Sequence, residues 1–171
     1  FGLRNKGGWA DELRIREARA LIYLGESKDW SRATKLLNDI IERGERLSTA
    51  AEDIQNDPIL WHKLSILAQA YRFRGYLLSL QGKLNSSAED YYQSILLWRE
   101  LKTKIELAHS LNDRSYVLAQ LGQTDDALAL ANDALNLRRR VGRRSPVALS
   151  LNTLGIINRL NALDSRERVH R

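Results

Sequence analysis

Five arginines stand within seven positions of one short stretch of the sequence. They are Arg138, Arg139, Arg140, Arg143 and Arg144. Guanidinium groups can bind phosphates or carboxylates through paired hydrogen bonds. The stretch therefore suits two kinds of partner, a nucleic acid or an acidic protein surface.

The same stretch has the features of a connection between two helices. Arg138–Arg140 would occupy the last turn of one helix, where exposed carbonyl groups favour cations. Gly142 would end that helix, and Pro146 would begin the next at a position that needs no amide donor. No aromatic residue follows Tyr116, so side chains on which bases could stack are lacking. We therefore expect a joint between helices, and keep nucleic-acid contact through 138–171 as an alternative.

The positive charge of the chain is concentrated near its C-terminal end. The formal net charge is +6, and residues 136–171 hold nine basic and two acidic side chains. A helix end accounts for only part of this excess. We therefore assign Arg138, Arg139, Arg140, Arg143 and Arg144 to a candidate patch for an acidic partner surface.

The sequence predicts neither a metal site nor a cofactor site. The three histidines, His62, His109 and His170, show no metal-ligand spacing, and the chain has no cysteine. The ten glycines form no phosphate-binding pattern of the GxxxxGK[ST] or GxGxxG kind.

Two acidic pairs would be candidates for acid–base catalysis. Asp125–Asp126 and Glu89–Asp90 are each expected in the first turn of a helix. Carboxylates there interact favourably with the positive end of the helix dipole. Because this placement explains both pairs, we predict that the chain is not an enzyme.

The elements that would position these residues are helices. Only two prolines occur, and Ala, Leu, Glu, Arg, Lys and Gln dominate. Apolar residues recur at three- and four-residue steps in seven segments, which predicts an all-α fold of seven helices. The segments are Leu13–Leu24, Trp30–Ile41, Ile59–Leu80, Ser87–Leu101, Ile105–Leu121, Ala127–Leu137 and Val147–Leu160.

The sequence repeats itself with a period of 40 residues. Small residues coincide at Gly75, Ser115 and Gly155, where two helices would approach each other most closely. One helix pair cannot bury its apolar face alone, so we predict a solenoid of stacked helix–turn–helix units. The segments that align are 67–82, 107–122 and 147–162.

This repeat resembles the tetratricopeptide repeat family. The resemblance rests on LNDRSYVLAQLGQTDDALALANDALNLRRRVG and on SPVALSLNTLGIIN, which follows it. LNTLG at 151–155 resembles the long-period variety of kinesin light chains and bacterial signalling proteins. The resemblance implies a right-handed α-solenoid. The positions that match the pattern of large, small, turn and second-helix residues are Leu111, Ser115, Gly122, Ala127, Ala131 and Ala134.

The chain departs from the family pattern in its period, which is 40 residues rather than the common 34. Armadillo or HEAT repeats have similar lengths and are kept as the alternative fold. We expect one repeat domain over 1–171, an excerpt from a longer protein. Its expected units are 10–57, 58–103, 104–143 and an incomplete 144–171.

In tetratricopeptide folds the first helix of each pair lines a concave groove that holds the ligand. Asn112 and Asn152 stand out because Asn is a poor residue in mid-helix, and its amide can pair with any peptide backbone. Tyr76 and Tyr116 would add rigid contact area. The groove residues that the resemblance implies are Gln69, Arg72, Tyr76, His109, Asn112, Tyr116, Asn152 and Arg159.

We therefore expect a cytoplasmic protein-interaction module that binds a peptide, a partner protein or another domain of the same chain. The resemblance to bacterial regulators implies a sensory or regulatory role in a larger signalling or transcription-regulatory protein. No membrane span is expected, since the longest uncharged stretch, Ser145–Asn158, is too short and polar.

A structural spacer or a self-association surface is the remaining alternative. The last predicted helix has no partner helix in the sequence. Its apolar flank would be exposed and would favour a homodimer. The residues of this flank are Leu151, Leu154, Ile157 and Leu160.

Overall fold

The computed structural model describes residues 6–48, 54, 56–142 and 144–169. Within these ranges the chain forms seven α-helices and no strand, which confirms the predicted all-α fold. The helices are α1 (Lys6–Leu24), α2 (Ser27–Ser48), α3 (Pro58–Leu80), α4 (Leu84–Glu100), α5 (Lys104–Gln120), α6 (Thr124–Val141) and α7 (Arg144–Val169).

The helices pack in two layers. Each helix contacts the next along the chain, and α1, α3, α5 and α7 also contact one another in succession. Among the described residues the helices α2, α4 and α6 make no such contacts with each other. The first helix of each pair therefore belongs to a continuous inner layer, and the second helices form an outer layer. This is the arrangement of a helical repeat solenoid.

Three successive turns share one conformation. Gly82, Lys102 and Gly122 have φ values of 73°, 55° and 77°. In each turn the following backbone N–H reaches back to the carbonyl of the residue five positions earlier, as in Lys83 to Leu78 at 2.9 Å. Glycine adopts this left-handed conformation without strain, so the sequence marks two of the turns. In the turn between α4 and α5 the left-handed residue is Lys102, so the sequence has no glycine from which this turn could be predicted.

Helix α4 begins one turn earlier than the sequence suggested. It starts at Leu84, so the prediction that Glu89–Asp90 stand in its first turn is wrong. Asp90 is instead buried, and its carboxylate accepts hydrogen bonds from Arg74 Nε at 2.6 Å and Nη2 at 2.8 Å. Arg74 also reaches Asn38 on α2 at 2.8 Å, so this ion pair ties α2 to α4 through α3. Asp125–Asp126 do lie in the first turn of α6.

Helices α3 and α4 lie in close contact at Gly75. A Cβ atom there would stand 3.2 Å from the Tyr91 ring and 3.3 Å from the Ser87 carbonyl oxygen. The Ser87 hydroxyl donates to the Gly75 carbonyl at 2.7 Å in the buried contact. The small residue is therefore required by backbone proximity, as its recurrence in the sequence suggested.

The apolar flank of α7 is turned inward. Ile157 is fully buried, and Leu154 and Leu160 pack partly buried against the core, so the expectation that this flank is exposed is wrong for these residues. They occur at three-residue steps and thus share the side of α7 that faces α5 and α6. Leu151 does not lie on this buried side of α7, and its side chain is 49% exposed. No helix in the described ranges has the apolar length that crossing a bilayer requires.

Replacement of Gly75 by alanine is expected to destabilise the chain by about 1–3 kcal/mol, because the added methyl meets the Tyr91 ring and the Ser87 backbone. Helix propensity alone predicts the opposite sign, a gain of about 0.5–1 kcal/mol. Urea unfolding followed by circular dichroism measures the difference.

The matched control is Gly155→Ala, the same repeat position on α7. A Cβ atom there meets nothing within 4 Å, so this variant should show the propensity gain. If both variants shift the unfolding midpoint in the same direction, the close contact at Gly75 does not limit packing.

Candidate functional site

A cavity of about 420 Å³ opens on the inner layer of helices. Helices α3 and α5 form most of its wall, and α1, α4 and α7 add one residue each, Tyr23, Tyr91 and Thr153. Lining residues that bear on binding are Tyr23, Arg72, Tyr76, Asn112, Asp113 and Tyr116. Consecutive units therefore contribute side chains to one space because their first helices lie side by side.

Four of the eight predicted groove residues line this cavity. They are Arg72, Tyr76, Asn112 and Tyr116. Their spacing of four residues on α3 and on α5 places each pair on one helix face. The structure thus brings together the pair on α3 and the pair on α5, while the role of these four residues in binding stays a prediction.

The other four predicted residues lie outside the cavity lining. Gln69 donates to the backbone carbonyl of Ser65 one turn earlier at 3.3 Å, and His109 contacts another helix. Asn152 and Arg159 are exposed on α7. Asn152 has the repeat position of Asn112, but no described helix packs against α7 on the side away from α5, so its side chain is exposed.

An ion pair spans α3 and α5 at the cavity wall. Arg72 Nε donates to Asp113 Oδ2 at 2.8 Å, and both side chains are about one quarter exposed, at 24% and 25%. Burial disfavours the charged guanidinium, but Asp113 offsets this and raises the pKa of Arg72. The terminal Nη atoms of Arg72 have no hydrogen-bond partner among the described residues, so their N–H groups can serve a ligand.

Tyrosine side chains form the aromatic part of the cavity. The rings of Tyr23 and Tyr76 are 6.0 Å apart between centroids and tilted by 46°. Burial, followed by Tyr23 and Asp113, raises the pKa of Tyr76, so its hydroxyl stays protonated at neutral pH. Tyr116 is 39% exposed at the edge.

The sequence did not identify Tyr23 as part of this site. Tyr23 is the next-to-last residue of α1, and the unit that contains it departs from the 40-residue period. Its contact with Tyr76 depends on how α1 lies against α3. A repeat alignment gives no such information.

Arg138 is the main correction to the predicted arginine patch. The residue is only 3% exposed, so it cannot belong to a surface for an acidic partner. Helix α7 packs over it, and Arg138 Nη1 donates to Ser150 Oγ at 2.7 Å and to the Pro146 carbonyl at 3.0 Å. The reason is that the joint after Gly142 folds α7 back against α6.

The remaining arginines of the patch have different outcomes. Arg139 and Arg140 are exposed in the last turn of α6, as a surface patch requires. Arg143 lies outside the described residues, and of Arg144 only its place at the start of α7 is described. A patch for an acidic partner stays a prediction for these four.

His109 faces the buried guanidinium. Its Nδ1 atom is 3.1 Å from Arg138 Nη2, and because a guanidinium only donates, this nitrogen must be unprotonated. Burial, with Arg72 on α3 and Arg138 on α6, lowers the pKa of His109 against the opposing effect of Glu106 and Asp113 on α5. The neutral imidazole is therefore the form that fits the folded chain.

The cavity suits binding. Around aromatic surfaces it presents hydrogen-bond donors of arginine, asparagine and tyrosine, the groups that fix a ligand's orientation. The described residues contain no group of three or more side chains that could hold a metal ion.

Comparison with known protein families identifies the central repeats. Residues 66–140, from within α3 to within α6, match a family model described as tetratricopeptide repeat. In a comparison with curated proteins, none matches the chain. The matched segment includes the α3 and α5 residues that line the cavity.

Acidification is expected to weaken the fold through His109. Since burial and two arginines lower its folded-state pKa, the unfolded chain binds the proton more readily. The stabilisation is complete above about pH 6.5, the unfolded value, and is lost as pH falls through the folded-state pKa. His109→Gln should reduce the fall in unfolding free energy between about pH 7.5 and 5, measured by urea unfolding.

His62→Gln serves as the control. His62 lies on α3 and is not among the groups in contact with Arg138. This variant should keep the pH dependence of the unmodified chain. If the unfolding free energy of His109→Gln depends on pH as steeply as that of the unmodified chain, the role of the neutral imidazole is contradicted.

Proposed function

We propose that the inner cavity binds an extended peptide segment of a partner protein, and the match of residues 66–140 to a tetratricopeptide repeat model supports this. Repeats of this family generally mediate protein–protein interaction and act as non-catalytic scaffolds. One observation carries the proposal. Side chains of α3 and α5, joined by Tyr23 of α1, line one solvent-open cavity that combines aromatic surface with hydrogen-bond donors that have no partner among the described residues.

The polar groups of the cavity complement a peptide backbone. The Nη atoms of Arg72 and the hydroxyls of Tyr76 and Tyr116 can donate to backbone carbonyl oxygens. Because Asp113 already balances the charge of Arg72, the lining does not demand a charged ligand. A neutral peptide segment fits this electrostatic arrangement.

The apolar surface of the cavity complements a side chain. Phe73, Leu80 and the tyrosine rings leave room for one large apolar group. Leu80 and Tyr23 are exposed, at 43% and 69%, so part of the binding surface lies at the open edge. A peptide with one apolar anchor and flanking backbone contacts is the ligand class that we propose.

The wider role belongs to the same proposal. It is a cytoplasmic, non-enzymatic, regulatory part in a larger bacterial signalling or transcription-regulatory protein. The resemblance of LNTLG at 151–155 to the long-period variety supports the regulatory role alone. Nucleic-acid contact through 138–171 loses support because Arg138 is buried. A homodimer through α7 would have to use the exposed Leu149, Leu151 and Leu163.

Tyr116→Ala should weaken peptide binding by roughly 10- to 100-fold, because tyrosine is enriched among the interface residues whose truncation costs about 2 kcal/mol or more. The probes are peptides of about 12 residues enriched from a random phage-displayed library on the unmodified chain. Their affinities are measured by isothermal titration calorimetry for both proteins.

Tyr92→Ala is the matched control. Tyr92 is 37% exposed, close to the 39% of Tyr116, but lies on α4 in the outer layer, where its ring contacts Arg114. This variant should bind the same peptides with unchanged affinity. Peptides that bind Tyr116→Ala as tightly as the unmodified chain would place the site elsewhere.

A further inference from the structure

The buried side chain of Arg138 connects three helices. Its Nη1 atom is 2.7 Å from Ser150 Oγ and 3.0 Å from the Pro146 carbonyl oxygen, both on α7, and 3.3 Å from Asn112 Oδ1 on α5. Its Nη2 atom is 3.1 Å from His109 Nδ1, also on α5. One side chain of α6 thus binds groups of both neighbouring helices.

These contacts fix the orientation of the Asn112 amide. Ser150 Oγ also donates to Asn112 Oδ1 at 3.3 Å, so two donors converge on the same oxygen. Asn112 lines the inner cavity, and its Nδ2 has no hydrogen-bond partner among the described residues. With the oxygen held by α6 and α7, the N–H groups are the end that remains for the cavity.

Packing alone does not require an arginine at this position. One period earlier, Trp98 occupies the equivalent place on α4 and is equally buried, at 2% exposure against 3% for Arg138. The guanidinium also leaves its Nε buried without a hydrogen-bond partner in the described part of the chain. A buried charge carries a desolvation cost that an apolar residue of similar size avoids. The arginine is thus better explained by its polar contacts than by its volume.

We propose that Arg138 is a positioning residue for the binding cavity: it holds the Asn112 amide with its N–H groups toward the ligand and makes this orientation depend on the docking of α7. Asn112 N–H then donates to a backbone carbonyl of the peptide, and a shift of α7 that withdraws Ser150 and Pro146 releases the amide. The α6–α7 joint and the cavity are coupled in this way. The ligand part of the inference rests on the proposed function, while the positioning part does not.

The positioning part is tested without any ligand, by ¹⁵N relaxation of the Asn112 side-chain amide. The amide should be ordered in the unmodified chain, with an order parameter near 0.8, and should fall below about 0.6 in Arg138→Trp. Tryptophan is chosen because Trp98 shows that the equivalent site accepts it. An equally ordered Asn112 amide in Arg138→Trp would overturn the proposal.

Ser150→Ala provides a second, smaller change in case Arg138→Trp does not fold. It removes one acceptor of Arg138 and one donor to Asn112, so it should also loosen the amide. The matched control is Ser110→Ala, one period earlier, which removes a buried hydroxyl that pairs with Ser94. The proposal fails if Ser110→Ala loosens the Asn112 amide as much as Ser150→Ala does.

The ligand part is tested by a double-mutant cycle with the library-selected peptides. Asn112→Ala and Arg138→Trp should each weaken binding by roughly 10-fold, and the double variant should bind no more weakly than Asn112→Ala alone. Additive losses would show that Arg138 does not act through Asn112 and would overturn this part. If the library yields no binding peptide, the proposed function fails, and the relaxation result still decides the positioning role.

Discussion

The close contact between the two helices of a unit is the constraint on which the rest of the structure depends. At Gly75 the backbone of α3 comes so near to α4 that a single methyl group would meet the Tyr91 ring and the Ser87 carbonyl. Helices that pair this tightly still leave apolar faces uncovered. Stacking of the next pair covers them, and the first helices are thereby aligned into the layer that forms the cavity.

Polar side chains complete this packing where units meet. Arg74 joins α2, α3 and α4 through Asn38 and Asp90, and Arg138 joins α5, α6 and α7. Both are buried or half-buried cations whose hydrogen bonds run between helices. The difference lies in their partners. Arg74 has a carboxylate, whereas Arg138 binds neutral groups, one of which lines the cavity, so of these two networks only the second connects helix packing with the cavity.

The cavity shows how repetition and departure from repetition combine. Arg72 and Asn112 occupy equivalent positions on α3 and α5, yet Arg72 pairs with Asp113 while Asn112 is held by Arg138 and Ser150. The equivalent Asn152 is exposed on α7, since no described helix packs beyond it. The same repeat position therefore has three environments along the array, and only the central ones face a common space.

The sequence by itself determined the helical class, the repeat and the inward face of α3 and α5. These follow from local spacing: apolar residues every three or four positions, small residues every 40, and glycines at four turns. Tyr76 and Tyr116 share the cavity for the same reason. The tertiary structure decided what depends on the angle and distance between helices. It placed Tyr23 against Tyr76, buried Arg138 under α7 and left Asn152 exposed to solvent. Contacts between units join residues that are not related by the 40-residue repeat, so the repeat cannot predict them.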